Sequence, residues 1–430
     1  MDILTAALLI ALLIAVLASG FWIGLSLLGV AVFAMEVFTN RPVGDSMVFT
    51  IWGSTSSWTL TALPLFLWMG EILFRSRLTA DLFKGLAPWL NRVPGRLLHA
   101  NVIGCGIFAA VSGSSAATCA TIGKITLPEL KKRGYPDAIS MGSLAGAGTF
   151  GLLIPPSIIM IVYAVATDVS IAKLFVAGVL PGIALMAIFS GYLIVWALRH
   201  PGQIPAADAE MAFVDKVKAA RHLIPVLSLI VLVIGAIYSG LATATESAAL
   251  GVAGALVLSR LEGTLSWVAF KEGLTAACRV YCMIGLILAG ASFLTLAMGF
   301  IGLPREVAAF IGGLQLSPFW LLMLLMVFFI ILGCFLDGIS MVVLTMAVLL
   351  PTVQAAQIDL IWFGIFVVLV VEMAQITPPV GFNLFVLQGL TGRELPYLAR
   401  TALPFFGLLV LAVFLIYLFP QVVLWLPGLM

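Results

Sequence analysis

A run of small polar residues inside an otherwise apolar stretch is the first candidate for ion-binding chemistry. Ser112, Gly113, Ser114 and Ser115 follow one another, and Thr118 comes about one helical turn later. Hydroxyl and loop carbonyl oxygens are suitable ligands for a small, hard cation, while the unpaired N–H groups of a helix start attract a carboxylate. Close packing of small residues is the alternative. We predict an ion-binding tip at these serines.

Two notable carboxylates lie within apolar segments of the second half, Asp337 in the run LDGIS and Glu372 in EMAQITPPVGFN. A charged residue at the bilayer centre costs at least about 3 kcal/mol on insertion scales, so it is rarely without a role. Asp337 is predicted to cap the helix that follows it or to support a cation site, and carriage of a proton is a further alternative.

Two proline pairs, Pro155-Pro156 and Pro378-Pro379, interrupt apolar segments. Proline removes a backbone donor and clashes with the preceding turn, and freed carbonyls in hydrocarbon are tolerated only where protein or a water-lined cavity satisfies them. Both segments are therefore predicted to be broken transmembrane helices, in which the freed carbonyls bind a cation and the next half-helix faces an anionic substrate. A kink without function is the alternative.

These residues must be positioned by a helical membrane protein, because the chain is 63% hydrophobic and only 9% charged, whereas about a quarter of the residues of a soluble domain are charged. About ten helical spans of roughly 20 residues are expected, at 3–19, 20–38, 54–74, 138–165, 171–198, 223–239, 243–260, 275–299, 361–388 and 401–425. Stretches 97–128 and 318–351 are too long for one span and too short for two. They are predicted to be re-entrant hairpins with the serines and Asp337 at their tips.

The prolines also indicate an internal duplication. The two pairs lie 223 residues apart, and Pro128 and Pro181 have counterparts at the same distance. Interrupted helices at corresponding positions of two halves are typical of secondary transporters.

Basic residues orient the two halves, because short cytoplasmic loops are rich in Lys and Arg. Placing the loops 75–96, 129–137, 199–222, 260–279 and 390–400 in the cytoplasm gathers 17 of the 21 basic residues there. The first hairpin then enters from the cytoplasm and the second from outside. We predict an all-α polytopic fold built as an inverted repeat, with halves 1–198 and 223–430 joined by a cytoplasmic linker at 199–222. The broken helices of the two halves are 138–165 and 361–388.

Enzymes and channels fit the sequence less well. An intramembrane aspartyl protease needs a second membrane aspartate as partner for Asp337, and His99, His200 and His222, the possible bases of a serine hydrolase, lie beside basic loop residues. Paired broken helices indicate one central site rather than a continuous pore. The sequence therefore predicts a transporter and no enzyme.

The motifs themselves resemble a known family. The runs SGSSAATCATIGKITLPELKKRGY and AGTFGLLIPPSIIMIVYAVATDVSIAKLFVAGVLPG are similar to the large membrane subunit of TRAP transporters, the tripartite ATP-independent periplasmic family. TATESAALG, LGCFLDGISMVVLTMAVLLP and EMAQITPPVGFNLFV agree in the same order. The resemblance covers essentially the whole chain.

The resemblance implies a sodium-driven, elevator-type importer of an organic acid in the bacterial inner membrane. It implies a soluble periplasmic binding protein and a small four-helix membrane subunit, expected here as a separate polypeptide. Sodium is the coupling ion and no other cofactor is expected. The expected partners are thus the binding protein, the small membrane subunit, the organic acid and the lipid bilayer, and no nucleic acid is expected. A stand-alone sodium- or proton-coupled dicarboxylate symporter is the alternative.

The resemblance, with the polar residues about the breaks, also implies two sets of site residues. The sodium sites would use Ser112, Gly113, Ser114, Ser115, Gly148, Gly151, Pro155, Gly333, Asp337, Ser340, Ala374 and Thr377. The substrate would contact Ser114, Ser115, Pro156, Ser157, Thr377, Pro379 and Asn383.

Overall fold

Long uncharged runs of Leu, Ile, Val, Ala and Phe form helices, because only a helix satisfies every backbone group of a segment within hydrocarbon. The computed structural model describes residues 3–206, 211–313, 316–379 and 381–430, and within these ranges every extended element is helical, with no strand. The predicted all-α fold is confirmed.

The first half contains eleven helices within its described residues. They are α1 (Ile3–Ala18), α2 (Ile23–Phe38), α3 (Val43–Thr55), α4 (Ala62–Phe74), α5 (Leu78–Leu90), α6 (His99–Ser112), α7 (Ser115–Lys132), α8 (Asp137–Gly148), α9 (Phe150–Leu153), α10 (Ile158–Thr167) and α11 (Ile171–Arg199).

The linker and the second half are also helical within their described residues. Their helices are α12 (Phe213–Ala220), α13 (Ile224–Tyr238), α14 (Ala244–Leu261), α15 (Trp267–Ile301), α16 (Leu303–Gly313), α17 (Pro318–Gly333), α18 (Gly338–Ala355), α19 (Leu360–Gln375), α20 (Phe382–Thr391), α21 (Leu395–Leu418) and α22 (Gln421–Leu424). Short 3-10 turns lie at Trp58–Thr61, Arg96–Leu98, Pro201–Gln203, Arg221–Leu223 and Pro427–Leu429.

The number of membrane spans stays a prediction. By length and composition, five helices of the described chain are suited to cross a membrane, or up to seven if each of two bent pairs forms one span. The expected single span 54–74 is wrong in one detail: its first residues belong to α3, which ends at Thr55, and the chain bends by 54° before α4. The expected span 275–299 is part of the 35-residue α15, which at 1.5 Å per residue is about 52 Å long.

At each predicted hairpin, two helices are joined by a short turn, α6 to α7 in the first and α17 to α18 in the second. Gly113 ends α6 with φ 63°, a left-handed conformation that glycine adopts without a steric penalty. A Cβ on Gly113 would also lie only 2.9 Å from the carbonyl oxygen of Pro156. In the second hairpin, α17 ends at Gly333 and Asp337 is the N-cap of α18.

Both proline pairs break their helices as predicted. The first segment bends by 41° between α9, which ends at Leu153, and α10. The second stops at Gln375, the last residue of α19, and resumes at α20. The peptide bond within each proline pair is cis.

The helices associate in two groups, one around the long α15 and one around the buried α19. In the scaffold group, α2, α3 and α4 pack against α15, and α13 and α14 complete the layer. In the site group, α19 is surrounded by α9, α10, α11, α17, α18, α20 and α21. Every residue of α19 from Trp362 to Gln375 is buried. Helices α4 and α15 contact the two hairpins, so the groups meet along both of them.

Candidate functional site

The first hairpin tip is tied to the helix that follows the second break. The hydroxyl of Ser115 donates a hydrogen bond of 2.8 Å to Oδ1 of Asn383, and Nδ2 of Asn383 donates one of 3.1 Å to the carbonyl oxygen of Ala145. All three residues are buried. One amide therefore connects α7, α8 and α20, which come from both halves of the chain.

Two glycines allow these elements to approach so closely. A Cβ on Gly151 would collide with the carbonyl group of Ser114 and lie 2.7 Å from the backbone nitrogen of Ser115. A Cβ on Gly148 would lie 3.1 Å from Nδ2 of Asn383. The backbone of the first tip thus packs directly against Gly151 of the first broken helix without an intervening side chain.

The serines of the first tip are partly engaged within the tip. The hydroxyls of Ser112 and Thr118 are 2.6 Å apart, and Thr118 donates to the carbonyl oxygen of Ser114 at 2.8 Å. The hydroxyl of Ser114 caps α7 by accepting the amide of Ala117 at 3.4 Å. A hydroxyl has two acceptor lone pairs, so these contacts leave oxygen capacity for a ligand.

The same tip reaches the start of α10. The amide of Ile158 donates to the carbonyl oxygen of Gly113 at 3.4 Å. Ser157 is the N-cap of α10, where its hydroxyl accepts the amide of Met160. Pro155, Pro156 and Ser157 are buried beside this contact. The structure therefore brings the first tip, the first break and Asn383 together.

The second tip and the second break form a separate cluster. Asp337 accepts the amides of Ile339 at 3.0 Å and Ser340 at 3.2 Å, and it also accepts the Ser340 hydroxyl. Capping of α18, one of the roles predicted for Asp337, is therefore present. The thiol of Cys334 donates to the carbonyl oxygen of Pro378 at 3.3 Å.

Small residues again set the contact distance in this cluster. Gly333 packs directly against the Cβ of Ala374. Thr377 donates to the carbonyl oxygen of Met373 at 2.6 Å, and its own carbonyl accepts the amide of Gly381 at 2.9 Å. Pro379 is exposed beside it.

The predicted sodium and substrate residues thus divide between two clusters. In the described chain, no hydrogen bond joins a site residue of one cluster to a site residue of the other. Thr377 and Pro379, predicted to share the substrate with Ser115 and Asn383, belong to the second cluster. The clusters meet through Gly338, where a Cβ would lie 3.0 Å from Cδ1 of Ile159 in α10 and 3.6 Å from Nε2 of Gln375 in α19.

Glu372 was singled out in the sequence but not included in either set of site residues. It is fully buried, and neither carboxylate oxygen has a hydrogen-bond partner among the described residues. The backbone amide of Leu153, the last residue of α9, faces this carboxylate without reaching normal hydrogen-bond geometry. Its position between the two breaks could not be read from the sequence, although a lone carboxylate in an apolar run was the signal.

A cavity of about 1030 Å³ lies away from all these residues. It is lined by the turn between α3 and α4, the start of α14, the middle of α15 and the far half of α18, with hydroxyls of Ser54, Thr245, Ser292 and Thr295 and the carboxylate of Asp168. On the predicted topology it opens to the outer side, between the scaffold group and the second hairpin.

Paired helix breaks held against hairpin tips within an all-helical membrane fold define a secondary transporter. The fold resembles the solved structure of the Alcanivorax borkumensis YdaH transporter, with a TM-score of 0.63 and 14% identity over 91% of this chain and 95% of that one. Residues 10–422 match the family described as tripartite ATP-independent periplasmic transporter, DctM component. The chain belongs to this family.

Full-length relatives support the assignment. The C4-dicarboxylate TRAP transporter large permease protein DctM of Pseudomonas aeruginosa is 32% identical, over 89% of each chain. The isethionate TRAP transporter permease protein DctMQ of Oleidesulfovibrio alaskensis is 30% identical over 90% of this chain and 61% of its own length.

Family membership settles several predictions. The protein is a multi-pass permease subunit of the inner membrane and not an enzyme. The family works with a periplasmic binding protein and a small membrane subunit. In the DctMQ relative, the small subunit is fused to the large one.

Proposed function

We propose that this chain is the large permease subunit that couples inward sodium movement to the uptake of a small organic acid by an elevator mechanism. The observation that carries the proposal is the hydrogen bond from Ser115 to Asn383, because it holds a hairpin tip of one half against the broken helix of the other. A site shared in this way is what an alternating-access transporter with two interrupted helices requires.

The substrate class is inferred from chemistry and from the relatives. The names of two relatives specify a C4-dicarboxylate and isethionate, both small organic anions. The starts of α7, α10 and α20 lie about the first cluster, and helix N-termini favour negative charge. We propose a carboxylate as the substrate, contacting Ser114, Ser115, Pro156, Ser157 and Asn383, with Thr377 and Pro379 joining from the second cluster.

Sodium coupling is supported by the kind of oxygen atoms that the structure offers. At Gly151 the absence of a side chain leaves the Ser114 carbonyl and the first broken helix in direct apposition. Pro155 has no N–H with which to satisfy the carbonyl of Gly151, four residues earlier. Carbonyl and hydroxyl oxygens are the ligands that hard cations prefer. The first tip and the residues Gly333, Asp337, Ser340, Ala374 and Thr377 would hold the ions.

The elevator movement is proposed for the site group relative to the scaffold group. We also propose that the halves 1–198 and 223–430 form an inverted repeat. The elevator movement would carry the hairpin and the break of each half past α4 and α15. Phe66 of α4 and Phe175 of α11 mark this boundary, with ring centroids 5.7 Å apart.

Reconstitution tests the whole proposal. The chain is placed in liposomes with or without a separately encoded small subunit and its binding protein, and uptake of a labelled dicarboxylate is measured under an inward sodium gradient. We expect uptake only with all three components, increased by an inside-negative potential, since each positive charge moved inward gains about 2.3 kcal/mol per 100 mV. Accumulation by the chain alone would establish the stand-alone symporter instead. Undiminished uptake without sodium would show that sodium is not the coupling ion.

A further inference from the structure

We propose that the carboxylate of Glu372 supplies the negative charge of a sodium site at the point where the two broken helices meet. This assignment rests on the sodium coupling proposed above and names a residue outside both predicted site sets. It follows from the burial of Glu372, from the absence of basic side chains on the described helices around it and from the helix end in which it lies.

A fully buried carboxylate without a partner requires an explanation. Both oxygens of Glu372 lack hydrogen-bond partners in the part of the chain that the structure describes. Buried charges in proteins are paired with an opposite charge or coordinate a metal, because leaving water costs an isolated ion far more than a neutral group. A carboxyl group of this kind is protonated unless a cation binds its oxygens, so Glu372 is a candidate cation ligand.

The neighbouring helices offer no basic side chain to Glu372. Among the helices that pack against α19, only α11 and α21 carry Lys or Arg, namely Lys173, Arg199 and Arg400. All three are exposed and lie close to the ends of their helices. Charge compensation by the described protein side chains is thus missing at this point.

A helix C-terminus adds negative potential there. Glu372 lies in the last turn of α19, and the backbone N–H of Leu153 in α9 faces its carboxylate. The C-terminal end of a helix carries a partial negative charge and carbonyl oxygens without intrahelical partners. A cation beside such an end is favoured, and the oxygens of Glu372 with the freed carbonyls of α19 form a hard-ligand set.

Asp337, the other carboxylate singled out in the second half, is engaged differently. It already accepts two amides and one hydroxyl as the cap of α18. The remaining predicted ligands of the second cluster, Gly333, Ser340, Ala374 and Thr377, have no formal charge. Glu372 therefore supplies a second negative charge, on oxygens that no described group occupies.

The test measures sodium binding through stability rather than transport. The full chain with its small subunit is placed in lipid nanodiscs, and its unfolding temperature is followed as sodium chloride replaces choline chloride at constant ionic strength. Glu372→Gln keeps the shape and removes the charge. Glu394→Gln, at an exposed glutamate before α21, is the matched control. We expect sodium to stabilise the wild type and the control alike.

For Glu372→Gln we expect higher stability than wild type without sodium, and a sodium concentration for half-maximal stabilisation raised at least about tenfold, equivalent to about 1.4 kcal/mol. A purely structural role would lower stability in both salts equally and leave the sodium response in place, which would overturn the proposal. If that variant does not fold, Glu372→Asp retains the charge with a shorter reach, and an unchanged sodium response in it would equally overturn the assignment.

Two results separate this inference from the proposed function. A full sodium response in Glu372→Gln, together with sodium-driven uptake by the wild type, removes Glu372 from the site and leaves sodium coupling intact. If wild-type uptake does not depend on sodium, the coupling itself fails. Stabilisation of the wild type by acid but not by sodium would identify a proton as the occupant and contradict the proposal.

Discussion

The hydroxyl of Ser115 donates a 2.8 Å hydrogen bond to Asn383, although the two residues are 268 positions apart in the chain. Ser115 begins the second arm of the first hairpin, and Asn383 begins the half-helix after the second break. The contact makes the tip of one half part of the wall of the other half's broken helix.

Replacing Ser115 with alanine should reduce both stability and transport. The acceptor of Asn383 would then be buried without a donor, which costs about 1–3 kcal/mol. Thermal unfolding and sodium-driven uptake are the measurements. Ser228→Ala is the control, because the Ser228 hydroxyl bonds only within its own exposed turn, to Pro225. Equal effects of the two substitutions would contradict a special role for the buried contact.

Gly151→Ala should be among the most damaging single-methyl additions. The new Cβ would collide with the Ser114 carbonyl, and overpacking of this kind costs about 1–3 kcal/mol. Gly191→Ala, on α11, provides the comparison, since nothing lies within 4 Å of its added Cβ and alanine is the better helix former by about 1 kcal/mol. Unfolding temperatures should therefore move in opposite directions. Normal uptake in Gly151→Ala would show that the close approach is dispensable.

Asp337 and Asp359 form a matched pair for separating capping from transport. Each accepts two backbone amides at the start of a helix, α18 for Asp337 and α19 for Asp359. Loss of an N-cap costs about 0.5–2 kcal/mol, so alanine at either position should lower stability by similar amounts. Only Asp337→Ala should also weaken sodium-driven uptake. If both variants transport equally well, Asp337 is a cap and nothing more.

A covalent cross-link across the boundary between the two helix groups should stop an elevator. In a background without the native cysteines, Phe66→Cys and Phe175→Cys are combined, and uptake is measured before and after a short, reducible bifunctional thiol reagent joins α4 to α11. We expect cross-linking to abolish uptake and reduction to restore it. The control joins two members of the site group, Phe189→Cys and Phe405→Cys, whose native rings are 5.1 Å apart. Continued uptake by the cross-linked Phe66–Phe175 pair would exclude relative movement of the two groups there.

The local features of the site could be predicted because they depend on near neighbours in the chain. Proline pairs break helices wherever they occur in a helical segment, and a small polar run in an apolar stretch forms a turn. The helix bend after Thr55 was missed, because hydrophobicity averaged over a span does not detect a short hydroxyl-rich turn.

Long-range relationships could not be predicted from one sequence. Nothing local to Asn383 indicates that Ser115 and Ala145 are its partners, and nothing near Glu372 indicates that it faces the end of α9. Both depend on how helices from two halves pack. The resemblance of the motifs supplied the family and the predicted site residues, whereas the division of those residues into two clusters came only from the three-dimensional arrangement.

The contact between Ser115 and Asn383 also has a consequence for biosynthesis. Ribosomes add about 5–20 residues per second, so Ser115 is synthesised roughly 13–54 s before Asn383, which accepts its hydrogen bond. For that interval the first hairpin exists without the side chain that will close over it. A nascent chain halted before Asn383 therefore has the Ser115 hydroxyl in place without its acceptor on α20.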